Sequence, residues 1–101
     1  MRKRIRLPRG IVHHTKSYVC RHVFEGTREV LYVSRADGDW CFLCGDEHPQ
    51  DAYWFLVVGL GHEIEKDPTL LEVLDLAHEE EAERTLVGGA WARSRIQDSS
   101  D

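Results

Sequence analysis

The sequence predicts a single α+β domain, an antiparallel β-sheet with one main α-helix packed on it. Residues 17–61 contain four short segments rich in β-branched and aromatic side chains, with turn signals between them. Residues 67–77 then combine a helix-start signal with apolar side chains at helical spacing. A chain of 101 residues with a hydrophobic fraction of 42% can bury one modest core.

The strand segments are predicted from side chains that alternate between two faces. They are residues 17–24, 29–35, 40–44 and 53–61. The dipeptide Asp37-Gly38 is typical of a tight hairpin turn between the second and third strands. The fourth segment ends in Gly59 and Gly61, which favour a bulge or a strand end.

The alternation also predicts the core. Trp40, Phe42 and Cys44 share one face of the third strand, and this face is expected to be buried. Leu71 and Leu74, on the apolar side of the helix, are expected to pack against it.

The helix is predicted to begin at Asp67, a natural N-cap, with Pro68 at the first helical position. Two ends are compatible with the sequence. Helix-forming residues could extend the helix to about residue 84. The helix could instead break near His78, so that residues 84–93 form a hairpin across Gly88-Gly89, and this glycine pair favours the hairpin.

The charge is unevenly distributed. Residues 1–24 contain seven basic residues and no acid, whereas residues 25–101 contain six basic and eighteen acidic residues, a net charge of −12. We predict a loose basic arm over 1–16, the domain over 17–93 and a flexible polar tail over 94–101. Binding to nucleic acid is disfavoured, because the arm lacks interleaved aromatic residues and the acidic remainder repels phosphate.

Two further patterns bear on location. No apolar run approaches the roughly 20 residues of a membrane span, so no membrane association is expected. No apolar segment follows the basic start in the manner of a secretory signal, so the expected location is the cytoplasm, with reduced thiols. The oligomeric state is left open.

Cys41-x-x-Cys44-Gly45 has the spacing of half a structural zinc site, which needs four Cys or His ligands. The best second pair is Cys20 and His22, whereas the weaker candidates are His13, His14, His48 and His62. In an extended strand, however, residues three apart point to opposite faces. We therefore predict no metal between Cys41 and Cys44 and no cofactor. A small zinc-binding module using Cys20, His22, Cys41 and Cys44 is the alternative.

Catalytic motifs are weak. The segment Gly59–Glu63 lacks the third glycine of a dinucleotide loop, and Lys66 stands where a zinc-protease helix would place its second histidine. The chain is therefore predicted not to be an enzyme. Asp46 and Glu47 lie in a loop between strands, where functional residues are common, and are predicted to contact a partner, although ordinary turn chemistry also accounts for them.

Three blocks in order resemble a small bacterial family of unknown function that is predicted to include immunity proteins of polymorphic toxin systems. The blocks are "DGDWCFLCGDE", "HEIEKDPTLLEVLDL" and "AERTLVGGAW". Asp39 intervenes between Gly38 and Trp40, where the family pattern has Gly directly before Trp. The resemblance implies an α+β fold and a non-enzymatic role. An acidic chain of this kind is expected to bind and neutralise a protein partner, such as a basic toxin, by complementary charge.

Overall fold

The computed structural model describes residues 7–49 and 51–96. Within this part of the chain six strands form one sheet in the order β4-β1-β3-β2-β5-β6. The strands are β1 (Lys16–Cys20), β2 (Tyr32–Ser34), β3 (Trp40–Leu43), β4 (Phe55–Gly59), β5 (Glu80–Glu83) and β6 (Ala92–Arg95). Four of the strand pairs are antiparallel, and β1 and β3 are parallel. The predicted α+β class is therefore confirmed.

Two α-helices follow strands directly: α1 (Arg21–Glu25) follows β1, and α2 (Leu60–Lys66) follows β4. A 3₁₀ helix over Pro68–Val73 continues from α2, and short 3₁₀ turns lie at Ala36–Gly38 and Ala52–Trp54. The hairpin predicted at Asp37-Gly38 joins β2 to β3, with φ values of 55° and 80° at the two residues.

All four predicted strands extend beyond the observed ones, and two of them run into helices. Residues 21–24 belong to α1, which ends where Gly26 takes a positive φ of 76° and its N–H caps the His22 and Val23 carbonyls. Residues 60 and 61 belong to α2, because the N–H groups of Leu60 and Gly61 donate to the carbonyls of Thr15 and His13, both at 2.7 Å. These contacts turn the chain out of the sheet.

The helix predicted from Asp67 is 3₁₀ rather than α and ends at Val73. Asp67 is its N-cap, as expected, and accepts from the N–H of Thr69 at 3.1 Å. Extension to residue 84 is wrong, because β5 begins at Glu80. The hairpin alternative is correct in kind, but its strands are β5 and β6 rather than residues within 84–93. Arg84, expected in the first strand, follows β5 and forms a buried ion pair with Asp67.

Trp40, Phe42, Cys44 and Leu74 are buried, whereas Leu71 is partly exposed at the edge of the core. The other large core side chains come from β1, β2, α2 and the 3₁₀ helix; they are Val19, Val33, Leu60, Ile64, Leu70 and Val73.

The folded domain extends beyond both of its predicted boundaries, residues 17 and 93. Leu7 and Ile11 pack against the core, so residues 7–16 are not a loose arm. At the other end, the N–H of Ile96 donates to the Glu79 carbonyl at 2.8 Å, so the ordered domain passes residue 93. Residues 1–6 and 97–101 of the predicted arm and tail lie outside the described residues. None of the helices in the described ranges is long and apolar enough to cross a membrane.

Candidate metal centre

Four potential metal ligands converge at one end of the sheet. They are the thiols of Cys20 and Cys44 and the imidazoles of His22 and His48, and one ligand atom from each lies within 4.8 Å of all the others. Two thiols with two imidazoles are a donor set that structural zinc sites use.

The parallel pairing of β1 and β3 brings the two halves of this cluster together. Val19 is in register with Phe42, so the two strands end side by side. Cys20 is the last residue of β1, and Cys44 directly follows the last residue of β3. Since parallel strands place their carboxyl ends at the same edge of a sheet, the two thiols become neighbours.

Each histidine is placed by the turn after its cysteine. His22 lies in the first turn of α1, which starts immediately after Cys20. On the other side, Gly45 takes a φ of 89°, a left-handed conformation that glycine adopts readily. This turn directs the chain back, so that His48 faces Cys44 across four residues.

The distances within the cluster are those expected around a tetrahedral ion. His22 Nδ1 lies 3.1 Å from His48 Nε2, and Cys44 Sγ lies 3.5 Å from His48 Nε2 and 3.7 Å from His22 Nδ1. Ligands bonded to tetrahedral zinc at about 2.0 Å for nitrogen and about 2.3 Å for sulfur lie roughly 3.3–3.8 Å apart. The two separations from Cys44 fall within this range, the His22–His48 separation is slightly shorter, and Cys20 lies within 4.8 Å of the other three.

Aromatic side chains pack on the two histidines of the cluster. Both cysteines are buried and both histidines are half-buried. The Trp54 ring packs on both imidazoles, with centroids 5.5 Å from His22 and 5.8 Å from His48. Phe55 approaches His48 edge-on at 5.9 Å. Such a shell limits solvent access and so strengthens interactions between a metal and its ligands.

Burial raises the pKa of the Cys44 thiol above its ordinary value, and the neighbouring Cys20 thiol raises it further. A hydrogen bond from the backbone of Asp46 acts in the opposite direction. Without a metal, the Cys44 thiol therefore keeps its proton at neutral pH. A cation that binds there must displace this proton, because the thiolate is the ligand.

Cys41 is not part of the cluster. Its half-buried side chain belongs to the middle of β3, and burial raises its pKa. The absence of a metal between Cys41 and Cys44 stays a prediction. The broader expectation of no metal rested on the opposite faces of Cys41 and Cys44 and on the lack of a strong second pair. Three of the four residues of the alternative, Cys20, His22 and Cys44, do come together, and His48 stands where that alternative placed Cys41.

The predicted partner-contact residues lie next to the cluster but outside it. Asp46 is about half exposed and accepts from Arg28 at 2.5 Å. Glu47 is exposed. Asp46 thus forms a surface ion pair in addition to the backbone contact with Cys44, and neither acid is among the four clustered ligands.

His48 is the member of the cluster that was only a weaker candidate from the sequence. Its signal was the spacing Cys44-x-x-x-His48, which mirrors Cys20-x-His22 and provides two close ligand pairs. The two pairs could not be joined from the sequence, because an antiparallel sheet was expected and the parallel β1–β3 pair decides which strand ends meet.

Comparisons with known proteins identify no relative. No protein-family model matches the chain, and neither the curated proteins nor the solved structures contain a match. The resemblance to the immunity-protein family therefore stays a prediction, and the side-chain cluster is the main guide to function.

Proposed function

We propose that this chain is a non-enzymatic zinc-binding protein in which Cys20, His22, Cys44 and His48 hold one Zn²⁺. The supporting observation is the mutual spacing of 3.1–3.7 Å among Cys44 Sγ and the two imidazole nitrogens, with the Cys20 thiol alongside. These separations are close to those between the ligands of a tetrahedral zinc ion, which supports the proposal.

The donor chemistry favours zinc over magnesium or calcium. Those two ions prefer carboxylate, carbonyl and water oxygens, whereas thiolate and imidazole suit zinc. Each bound cysteine contributes a negative charge and each histidine is neutral, so two thiolates balance the charge of Zn²⁺. Charge balance matters here because both sulfur atoms are buried.

The site is structural rather than catalytic in this proposal. Four protein ligands fill a tetrahedral shell, whereas catalytic zinc keeps one position for water or substrate. The ion would tie the end of β1 and the start of α1 to the loop that follows β3. Its role is then to hold residues 44–54 against the sheet.

Metal analysis tests this proposal directly. The full chain, purified without a histidine tag, is expected to contain about one zinc per molecule and to lose thermal stability in excess chelator. Substitution by Co²⁺ is expected to produce thiolate-to-cobalt charge-transfer absorption. His48→Ala removes a ligand from a half-exposed loop position, so the variant is expected to fold while losing zinc.

Cys41→Ser and His14→Ala are the matched controls, since each removes the same residue type outside the cluster. Both should retain zinc, whereas Cys44→Ser and His48→Ala should not. A wild-type protein with no bound zinc, no cobalt spectrum and a melting temperature indifferent to chelator would refute the proposal.

A second candidate function is binding of a basic protein partner, as an immunity protein binds its toxin. Residues 25–101 have a net charge of −12, which would steer a basic partner towards the domain. Exposed apolar side chains also support this candidate: Phe55 and Val57 of the edge strand β4 are 39% and 59% exposed, and Tyr53 in the 3₁₀ turn before it is 59% exposed. Exposed aromatic residues beside a strand edge that none of the described strands pairs with are suited to protein contacts.

The test is co-expression with the product of the neighbouring gene, followed by co-purification. If Asp46 and Glu47 contribute, Glu47→Lys should slow association with a basic partner and reduce its salt dependence. Glu72→Lys reverses the charge of another exposed acid and is the control. The absence of a toxin-like neighbouring gene, together with empty pull-downs, would remove this candidate.

A further inference from the structure

A second group of metal-ligating side chains lies where the segment before β1 crosses helix α2. His13, His62 and Glu65 place one ligand atom each within 4.8 Å of the others, and all three residues are exposed. None of them belongs to the Cys20–His48 cluster. His62 comes from the Gly59–Glu63 segment, for which sequence analysis found no chemical role.

His13 is held in place by its backbone. Its carbonyl accepts the N–H of Gly61 at 2.7 Å, and two residues later the carbonyl of Thr15 accepts the N–H of Leu60 at 2.7 Å. The imidazole rests against Gly61, where an added Cβ would lie 2.3 Å from the ring. The missing side chain at Gly61 thus makes the room in which the His13 ring lies.

The other two side chains come from one face of α2. His62 and Glu65 are three residues apart, which places them next to each other on a helix surface. The His13 Nε2 atom lies 3.0 Å from Glu65 Oε2. The ring centroids of His13 and His62 are 4.8 Å apart, with the planes at 79°. Two imidazoles and one carboxylate therefore meet at a single surface point.

We propose that His13, His62 and Glu65 form a second, open site for a divalent transition-metal ion of the Zn²⁺ or Ni²⁺ type. Imidazole nitrogen and carboxylate oxygen are suitable ligands for such ions. Three protein ligands leave at least one coordination position for water or an external ligand, in contrast to the four-ligand cluster. Because all three side chains are exposed, this ion exchanges with solvent.

Binding at this site would link the segment before β1 to α2 through a metal as well as through backbone hydrogen bonds. The site does not depend on the Cys20–His48 cluster, since the two share no ligand. It is therefore expected to persist in a Cys44→Ser variant that remains folded.

Isothermal titration calorimetry with Zn²⁺ tests the proposal on the full chain already loaded at the four-ligand cluster. A further equivalent is expected to bind. Removing one of the three ligands should lower the affinity for this further zinc ion by more than about tenfold. Loss of a residue that only hydrogen-bonds to a ligand already lowers metal affinity by about tenfold or more. The informative variants are His62→Ala and Glu65→Gln, the second of which can still hydrogen-bond to His13.

His14→Ala is the matched control, because His14 is an exposed histidine next to His13 that lies outside the group. The zinc affinity of this variant should equal that of the wild type.

In NMR spectra, paramagnetic Ni²⁺ should broaden the amide signals of residues 13–15 and 60–66 before others, and His62→Ala should abolish this selectivity. Equal affinities for wild type, His62→Ala and Glu65→Gln, or binding of no further equivalent, would overturn the proposal. Repeating the titration with Cys44→Ser tests the three-ligand site independently, because this variant lacks a ligand of the four-ligand cluster but keeps His13, His62 and Glu65.

Discussion

At the scale of single residues, burial decides how much an arginine–aspartate pair contributes. The Arg84 side chain is completely buried and donates to Asp67 Oδ2 and Thr69 Oγ1, both at 2.7 Å, and to the Val30 carbonyl. Its guanidinium also stacks on Trp91 at 4.2 Å. Arg93 forms a similar pair with Asp75, but the two side chains are 38% and 73% exposed. The two pairs thus differ mainly in solvent access.

Truncating these arginines should have very different effects on stability. Arg84→Ala leaves Asp67 and the Val30 carbonyl without their partner and is expected to lower the free energy of unfolding by about 3–5 kcal/mol. Arg93→Ala should cost less than about 1 kcal/mol, because water screens the exposed pair. Urea unfolding of both variants measures the difference. Similar losses for the two would contradict this assignment.

The Cys44 thiol leads to a prediction about pH. Burial raises its pKa, so the metal-free protein holds this proton throughout the neutral range. Zinc binding replaces the proton, so the zinc affinity should rise as pH increases from about 6 to 8 and fall as pH decreases. Calorimetry in buffers of different ionisation enthalpy counts the released protons. For Cys41→Ser the count should equal that of the wild type, and a pH-independent affinity would contradict the prediction.

At the scale of elements, the contact between α2 and the segment before β1 depends on Gly61. An alanine in a solvent-exposed helix is usually more stable than glycine by about 1 kcal/mol. Here the added Cβ would meet the His13 ring at 2.3 Å and its Cα at 2.8 Å. Gly61→Ala is therefore expected to destabilise the protein and to displace residues 13–15.

A double-mutant cycle with His13→Ala measures this coupling. Removing the ring relieves part of the clash, so Gly61→Ala should cost less in the His13→Ala background than in the wild type. Thermal unfolding of the four proteins gives the coupling. Strict additivity would show that the His13 ring does not rest on Gly61.

The elements also show how far local sequence determines this fold. Alternation predicted β3 and its buried face, and Asp37-Gly38 predicted the β2–β3 turn, because both signals act between near neighbours. Helix α1 and the β1–β3 pairing were missed. Residues 17–24 alternate as a strand would, yet the chain leaves the sheet after Cys20. Helix α1 contacts distant residues, since Arg21 donates to the Tyr53 carbonyl and Lys66 to the Val23 carbonyl, and a local pattern does not encode such contacts.

The candidate metal site, like the fold, was predictable from the sequence only in part. Cys20, His22 and Cys44 were recognised as possible ligands by residue type, but their fourth partner depends on which strand ends meet. Cys41 was favoured by its spacing in the chain, whereas His48 is the neighbour in space. The sequence therefore indicates which residue types could bind a metal, whereas the order and direction of the strands decide which of these residues lie close together.

At the scale of the whole molecule, the candidate metal site lies at one end of a sheet that has its own apolar core. Side chains such as Phe42, Val33, Leu60 and Leu70 are fully buried and are not ligands. The domain therefore differs from a small zinc finger, whose fold depends on the ion because it lacks a sufficient core. Removing zinc should loosen one region rather than unfold the chain.

Hydrogen exchange with and without chelator distinguishes the two cases. In the metal-free protein, amides of α1 and of residues 44–54 should exchange faster, since the ion is proposed to hold that loop to the end of β1. Amides of β2, β3 and β5, which pair in the middle of the sheet, should keep their protection. His48→Ala should reproduce the same pattern without chelator, whereas His14→Ala should not. A uniform loss of protection would mean that the ion supports the entire fold, and no change at residues 44–54 would mean that it supports none of it.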